Sequence, residues 1–348
     1  MNSVRSFCIF VLTHGRPKFL KARTLRSLEK ARTSAPVYAI VSDDDPCIGE
    51  YGSLQGLSGF VQFSRDEVRR MSKTDTMCAM GEGEPKTVLE ARNFQFEAAR
   101  RLGFRWFVVL DDDYGELLAR FRMKRKDGSL VCPNISFNYM GMTGESGRSV
   151  FDECCESCFR ILESAPWLWC VSWAQNGDFG GGASSKGNML ARKWNFKSMN
   201  VFCCDTEKAY PFHGIINEDV CTCVRNQMNG ILSLTVWCPA VNQESTQQAS
   251  GGLTDAYRTW GTYFKSFLPV LASPACVKVS MLGNYHPRPH HSVDWASLTP
   301  KVVDGSFCKG SPVQADRHPY LDEGFGRPFS GCLPPPSKGL SDSLDRFF

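Results

Sequence analysis

The feature that most constrains this chain is a short apolar run, residues 104–110, that ends directly in Asp111-Asp112-Asp113. A run that short, polar only at Arg105, suits a strand buried on both faces, as in a parallel sheet covered by helices. The same form occurs twice earlier. Residues 6–13 end in Thr13-His14-Gly15-Arg16-Pro17, and residues 37–41 end in Ser42-Asp43-Asp44-Asp45-Pro46. Between these two runs Phe19, Leu20, Leu25 and Leu28 recur at helical spacing. Leu89, Phe94, Ala98 and Leu102 do so again before Gly103, a helix stop. Alternating strands and helices specify an α/β protein with a mostly parallel sheet. Ligands in such sheets sit beyond the carboxyl ends of the strands. His14 and Arg16, Asp43 to Asp45, and Asp111 to Asp113 are therefore expected to face one crevice.

The second half is less regular. The pattern predicts a helix over 148–163, a strand over 168–174 and a flexible glycine-rich loop over 180–187. A helix is expected from Asn217-Glu218-Asp219-Val220 to Met228, stopped by Asn229-Gly230, and a strand over 232–237. Residues 243–252 are polar and read as a loop, and from Thr299 the chain is rich in Pro, Gly and Ser and reads as a wrapping tail. A length of 348 residues buries a full core without staples. A net charge of +4 does not mark a nucleic-acid binder, so that claim must rest on local patches. The longest early apolar run, Phe7 to Leu12, is far short of the about twenty residues that span a bilayer. No signal-peptide pattern precedes it, so a cytoplasmic protein is expected. Of the sixteen cysteines, Cys155 and Cys158 form one CxxC with no second pair at zinc spacing. Reduced structural thiols, Cys8 and Cys170 among them, and no cysteine-bound metal are expected.

Three adjacent carboxylates repel one another, and a hard cation in a crevice relieves that. Mg²⁺ and Mn²⁺ take oxygen ligands and bridge to phosphates. The competing reading is a solvated acidic turn. Glu218-Asp219 can supply a general base to an acceptor hydroxyl, or can simply be acids at a helix amino terminus. In His286-Pro-Arg288-Pro-His290-His291 the prolines favour an extended segment that puts His286, Arg288 and His290 on one side.

A strand ending in Thr-x-Gly-Arg-Pro, a second ending in acids, the Ala91-Arg92-Asn93 helix and a strand into the triple Asp together resemble the GT-A glycosyltransferases. The resemblance implies that Thr13, Gly15, Arg16, Asp43 and Asp44 hold the nucleoside of a UDP-sugar such as UDP-glucose. It implies Mn²⁺ or Mg²⁺ on Asp111 and Asp113, with Asp112, Arg92 and Asn93 beside the donor. Gly181 and Lys186 would lie under the donor sugar, His286 would be a further metal ligand and Arg288 a phosphate contact. Asp219, paired with Glu218, would be the base of an inverting transfer. One glycosyltransferase domain is then expected over 1–298, with a donor half 1–115, an acceptor half 116–298 and a tail 299–348.

Two basic stretches, 120–127 and 186–197, suit a phosphate backbone. Trp167, Trp169 and Trp173, and Tyr257, Trp260, Tyr263 and Phe264, offer rings for stacking a base, though core packing is the commoner role. The chain as a whole resembles the GT-A enzymes associated with TET/JBP-type DNA base hydroxylases, a group found in bacteriophages. The residues that carry this are the Thr13 to Pro17 turn, Ala91-Arg92-Asn93, the triple Asp, Asn217-Glu218-Asp219, Gln243-Glu244-Ser245 through Gly252, and Gly283-Asn284-Tyr285-His286. That resemblance implies an acceptor in double-stranded DNA, the hydroxymethyl group of 5-hydroxymethylcytosine or 5-hydroxymethyluracil flipped from the stack. The alternatives are a protein or glycan acceptor on the same fold, and a non-enzymatic nucleic-acid-binding module.

Overall fold

The structure is a computed structural model that describes residues 5–72, 87–120, 123–124, 130–131, 134–135, 138–175, 197–243, 254–283 and 287–298. Four parallel strands form one side of a nine-stranded sheet: β1 (Phe7–Leu12), β2 (Val37–Ser42), β3 (Gly59–Phe63) and β4 (Trp106–Asp111). The other side is built from β5 (Tyr114–Arg120), β8 (Asn134–Ile135), β9 (Leu168–Gln175), β10 (Asn200–Asp205) and β11 (Leu232–Gln243), while β6 (Met123–Lys124) and β7 (Leu130–Val131) pair apart. The order is β3-β2-β1-β4-β10-β9-β11-β5-β8. Only β10 and β5 run against the other strands of this sheet, giving the α/β class with a mostly parallel sheet. β11 runs past the expected 232–237 to Gln243 because its second half pairs with β5, a long-range partner that a local pattern cannot show.

The unbroken apolar runs are strands because helices cover both faces. On one face Phe7, Ile9 and Val11 of β1 meet Leu20 of α1 (Pro17–Leu20) and Leu28 of α2 (Arg26–Ala31). Phe151 and Phe159 of a later helix join them there. On the other face Cys8, Phe10 and Leu12 meet residues of a helix that starts at Leu89. The remaining helices are α3 (Ile48–Tyr51), α4 (Arg65–Ser72), α5 (Leu89–Arg101), α6 (Val150–Ser164), α7 (Glu218–Met228), α8 (Thr254–Ala272) and α9 (Trp295–Leu298). Ser149 caps α6 by accepting the Asp152 N–H at 3.2 Å, and Gly103 leaves α5 with a φ of 78°. A two-stranded ribbon, β12 (Val277–Leu282) and β13 (Arg288–Val293), is fastened to α7 by a third apolar cluster of Val220, Val224, Val277 and Leu298.

Cys155 and Cys158 are buried free thiols of the first core, and burial pushes Cys155 up to about 11. Cys8 and Cys170 are likewise buried and free. Trp169 and Trp173 are fully buried core residues, so neither is a stacking platform. Tyr263 is exposed and Phe264 packs on the second core, while the Tyr257 and Trp260 side chains lie outside the described residues. No helix among the described residues is long and apolar enough to cross a membrane.

Phe107 packs edge-on between Phe10 and Phe96, with centroids at 5.6 and 5.3 Å. Replacing it with alanine is expected to cost about 3–5 kcal/mol, read as a lower urea midpoint, because β4 then loses the packing that holds its carboxyl end in place.

Candidate active site

The carboxyl ends of β2, β1 and β4 are tied to one another by two buried carboxylates. Asp112 is fully buried and accepts the Thr13 hydroxyl at 2.7 Å and a bidentate pair from Arg16 at 2.8 and 2.6 Å. Burial pushes its carboxyl up to about 6, although Arg16 pulls the other way. Asp45 accepts the Gly15 N–H at 2.8 Å, the Cys47 N–H at 2.7 Å and the Tyr51 hydroxyl at 3.2 Å. Gly15 reaches Asp45 at a φ of 69°, in the left-handed region that side chains disfavour. His14 Nδ1 lies 3.1 Å from the Ser42 hydroxyl. Thr13, Gly15 and Arg16 therefore shape the turn through Asp45 and Asp112. Asp43 and Asp44 stay exposed beside it. Asp43 accepts the Arg65 N–H at 3.2 Å, and Asp44 accepts the Ser42 hydroxyl at 2.6 Å and Arg65 Nε at 2.9 Å.

With Asp112 turned inward, its neighbours Asp111 and Asp113 are both half-buried at the end of β4. Asp113 accepts Gln243 Nε2 on both oxygens, at 3.2 and 3.0 Å. Burial, then the Asp111 carboxylate, push Asp113 up to about 7. Asp111 accepts Arg92 Nη2 at 2.7 Å and lies 3.4 Å from the Tyr114 hydroxyl. The Tyr114 hydroxyl in turn accepts the Val201 N–H at 3.4 Å, where a β-bulge holds Val201 at a φ of 39°.

Arg92 joins this group to the start of α7. Its Nε is 3.6 Å from Glu218 Oε1, and its guanidinium lies 4.9 Å from the Phe202 ring centroid. Burial opposes its charge, but Asp111 and Glu218 more than offset that and raise its pKa. The adjacent Asn93 accepts the Phe212 N–H at 2.7 Å and donates to the Phe212 carbonyl at 3.3 Å. Asn93 thus clamps the segment that leads into α7. Glu218 is 6% exposed, and burial followed by the Asp219 carboxylate push it up to about 7. Asp219 is half-buried and accepts the Val220 N–H at 2.7 Å. Burial raises its pKa too, with Lys265 and Lys197 pulling it down.

Directly before Glu218, Asn217 adopts a φ of 59°, donates to the Lys265 carbonyl at 3.3 Å and sits 3.4 Å from His291 Nδ1. Burial, with His290 and two lysines nearby, holds His291 down at about 4, so it is neutral at pH 7. Arg288 is exposed at the far end of the ribbon, opposite Leu282. Gly181, Lys186 and His286 lie outside the described residues, as do most of the two basic stretches. Tyr114 and Lys265 are site residues that sequence reasoning missed. Only the position of Tyr114 directly after the triple Asp could have flagged it.

Residues 7–252 match the model of a protein family described as TET-associated glycosyltransferase. The chain belongs to that family. It is a glycosyltransferase of the α/β class. Among solved structures, it is similar to the mannosyltransferase PcManGT from Pyrobaculum calidifontis in complex with GDP-Man and Mn²⁺, at 10% identity and a TM-score of 0.41. That match covers 74% of this chain and 60% of the mannosyltransferase, so the chain spans less than two thirds of that relative. It is also similar to glucosyl-3-phosphoglycerate synthase from Mycobacterium tuberculosis in complex with Mg²⁺ and UDP, at 8% identity over 83% of this chain and 88% of that one, with a TM-score of 0.41. No curated protein matches the sequence.

The donor chemistry in this glycosyltransferase fits a hard divalent cation. Asp111 and Asp113 offer only oxygen, and burial together with the Asp111 carboxylate raises the Asp113 pKa although Gln243 and Arg16 pull it down. Among the described residues no three His, Cys, Asp or Glu side chains converge on one point. Asp111 and Asp113 are the side chains that would hold such a cation.

Arg92→Ala would leave the buried Glu218 and the half-buried Asp111 without their shared cation. It is expected to cost about 3–5 kcal/mol in urea unfolding, with Arg92→Lys recovering only part.

Proposed function

We propose that this glycosyltransferase moves a sugar from a UDP-sugar to the hydroxymethyl oxygen of 5-hydroxymethylcytosine or 5-hydroxymethyluracil in double-stranded DNA, with Mn²⁺ or Mg²⁺ held by Asp111 and Asp113. The observation that carries this reading is Arg92, which spans from Asp111 to Glu218 within a TET-associated family chain. One side chain thereby sets the distance between a donor-side carboxylate pair and an acceptor-side one.

Asp43, Asp44 and the Thr13 to Arg16 turn border the nucleoside of the donor. The Arg92 Nε and Nη1 atoms are buried without a hydrogen-bond partner, a costly state that the diphosphate would relieve. When bound, the metal supplies charge that stabilises the departing diphosphate. Asp219 takes the proton from the acceptor hydroxyl as its oxygen bonds to the anomeric carbon and the bond to UDP breaks, with inversion. Asp219 is the better base of the pair because it is half-buried, with one oxygen on the Val220 N–H, whereas Glu218 is buried. Glu218 is buried against Arg92 and acts as a positioning residue. The target base must leave the duplex for its hydroxymethyl oxygen to reach this site.

Incubation with Mn²⁺, mixed UDP-sugars and DNA containing either modified base, followed by digestion and mass spectrometry, tests this. The expected product carries an added hexose or N-acetylhexosamine mass that is lost with EDTA or Asp113→Ala. Asp219→Asn should slow transfer by about 10²–10⁴-fold, the usual scale for removing a general base. UDP release without a DNA product would overturn the DNA acceptor in favour of a protein or glycan. No UDP release would overturn the donor.

Mn²⁺ affinity should also depend on pH. Asp113 is pushed up to about 7 and must lose its proton to bind a cation, so affinity rises as pH approaches that value and levels off above it. Calorimetry in buffers of different ionisation enthalpy should show proton release below the plateau and little above it. A flat profile would mean that Asp113 is not a ligand.

A further inference from the structure

The β12–β13 ribbon lies beyond residues 7–252, the span matched to the family. Its two faces differ sharply. Val277 and Val279 of β12 pair with Val293 and His291 of β13, and this face packs toward α7 and α8. Ser266 of α8 donates to the Pro289 carbonyl at 2.8 Å, and His291 meets Asn217 at the start of α7. The opposite face carries Lys278, Ser280 and Leu282 beside Ser292, His290 and Arg288. All of these but His290 are exposed. Two cations, Lys278 and Arg288, therefore share this face, while burial and the neighbouring cations lower the His290 pKa and keep it neutral. The nearest acid in sequence, Asp294, accepts the Ser297 N–H at 3.2 Å and hydroxyl at 2.6 Å, and it also feels the charge of Lys278. Arg288, at the other end of the face, is exposed.

Two further observations indicate the partner. At the ribbon's far end Met281 and Leu282 are 62% and 47% exposed, apolar surface that water disfavours. A two-stranded ribbon also fits the major groove of B-DNA, about 12 Å wide. Apolar tips beside cations suit contact with bases flanked by phosphates. A protein interface would favour an apolar centre with a polar rim, the reverse of this layout.

We propose that the outer face of the β12–β13 ribbon docks in a groove of the acceptor DNA, with Lys278 and Arg288 on phosphates and Leu282 facing the bases. The proposal rests on the DNA-acceptor reading above and adds the element that holds the duplex. Because the ribbon is fastened to α7, it delivers that duplex beside Asp219.

The test measures binding of a short fluorescein-labelled duplex by anisotropy across a salt series. Each phosphate contact contributes about 0.9 to the slope of log affinity against log salt. The double variant Lys278→Gln/Arg288→Gln should therefore bind more weakly and flatten the slope by about 1.8. Ser292→Glu, opposite Lys278 on the same exposed face, should also weaken binding. Unchanged thermal midpoints show that both variants are folded. Equal slopes for wild type and double variant, with glycosylated DNA still formed by wild type, would overturn the ribbon's role and leave the acceptor reading standing. No duplex binding and no DNA product from wild type would overturn both. Self-association abolished by Ser292→Glu, with unaltered DNA binding, would assign the face to a second copy of the chain and overturn the proposal.

Discussion

The site depends on a buried guanidinium. Arg92 is 3% exposed, and a charge so far from water is tolerable only with partners of opposite sign held in place. Those partners are Asp111 at the end of β4 and Glu218 at the start of α7. The Phe202 and Phe212 rings, with centroids at 4.9 and 6.0 Å, add cation–π attraction while excluding solvent. Arginine suits this role because its planar fork reaches in two directions and keeps its proton. The neighbouring Asn93 works on the same assembly from the next position. By holding both polar groups of the Phe212 backbone, it fixes the chain just ahead of α7. Two adjacent residues of one helix thus locate the acceptor-side acids relative to the donor-side acids.

A second constraint decides which acids are available for chemistry. The crevice edge is rich in carboxylates, but they divide by environment. Asp112 and Asp45 are buried and saturated with hydrogen bonds from the Thr13 to Arg16 turn. Asp111 and Asp113 on either side of Asp112 are half-buried, and Asp43 and Asp44 are exposed. The tight turn from β4 to β5 separates them: Asp111 ends the strand, while Asp112 and Asp113 are the turn residues, one buried and one half-buried. The inward Asp112 therefore does what a cation cannot do there, fastening β1 to β4 through Arg16.

Much of this architecture was legible before any coordinates. The apolar runs of β1, β2 and β4 and the 3.6-residue spacing of α5 are local signals, and they placed the acids at strand ends. The role of Asp112 was not legible, because three identical neighbours in sequence differ only in what the fold packs around them. The clamp at Asn93 and the bridge at Arg92 depend on residues more than a hundred positions later, which periodicity cannot register. Trp169 and Trp173 show the reverse case. Aromatic residues beside basic stretches suggest stacking, but β9 lies inside the sheet, where large apolar rings contribute most through burial. Arg288 sits in an extended segment as its flanking prolines imply, at the exposed end of the ribbon.

The attachment of that ribbon bears on how the acceptor half works. Asn217 sits in the left-handed region, which Asn tolerates better than most residues, and its side chain spans to Lys265 and His291. His291 is held neutral by burial and by the surrounding cations, so its contact with Asn217 brings no positive charge toward Asp219. Lys265 and Lys197 remain as the cations whose fields reach Asp219 and lower its pKa. The acid keeps a raised pKa through burial and is kept ionisable by those lysines, the balance a general base needs near neutral pH. Because α7, α8 and the ribbon share one apolar cluster and the Asn217 contacts, a force on the ribbon reaches Asp219 through elements packed directly on one another.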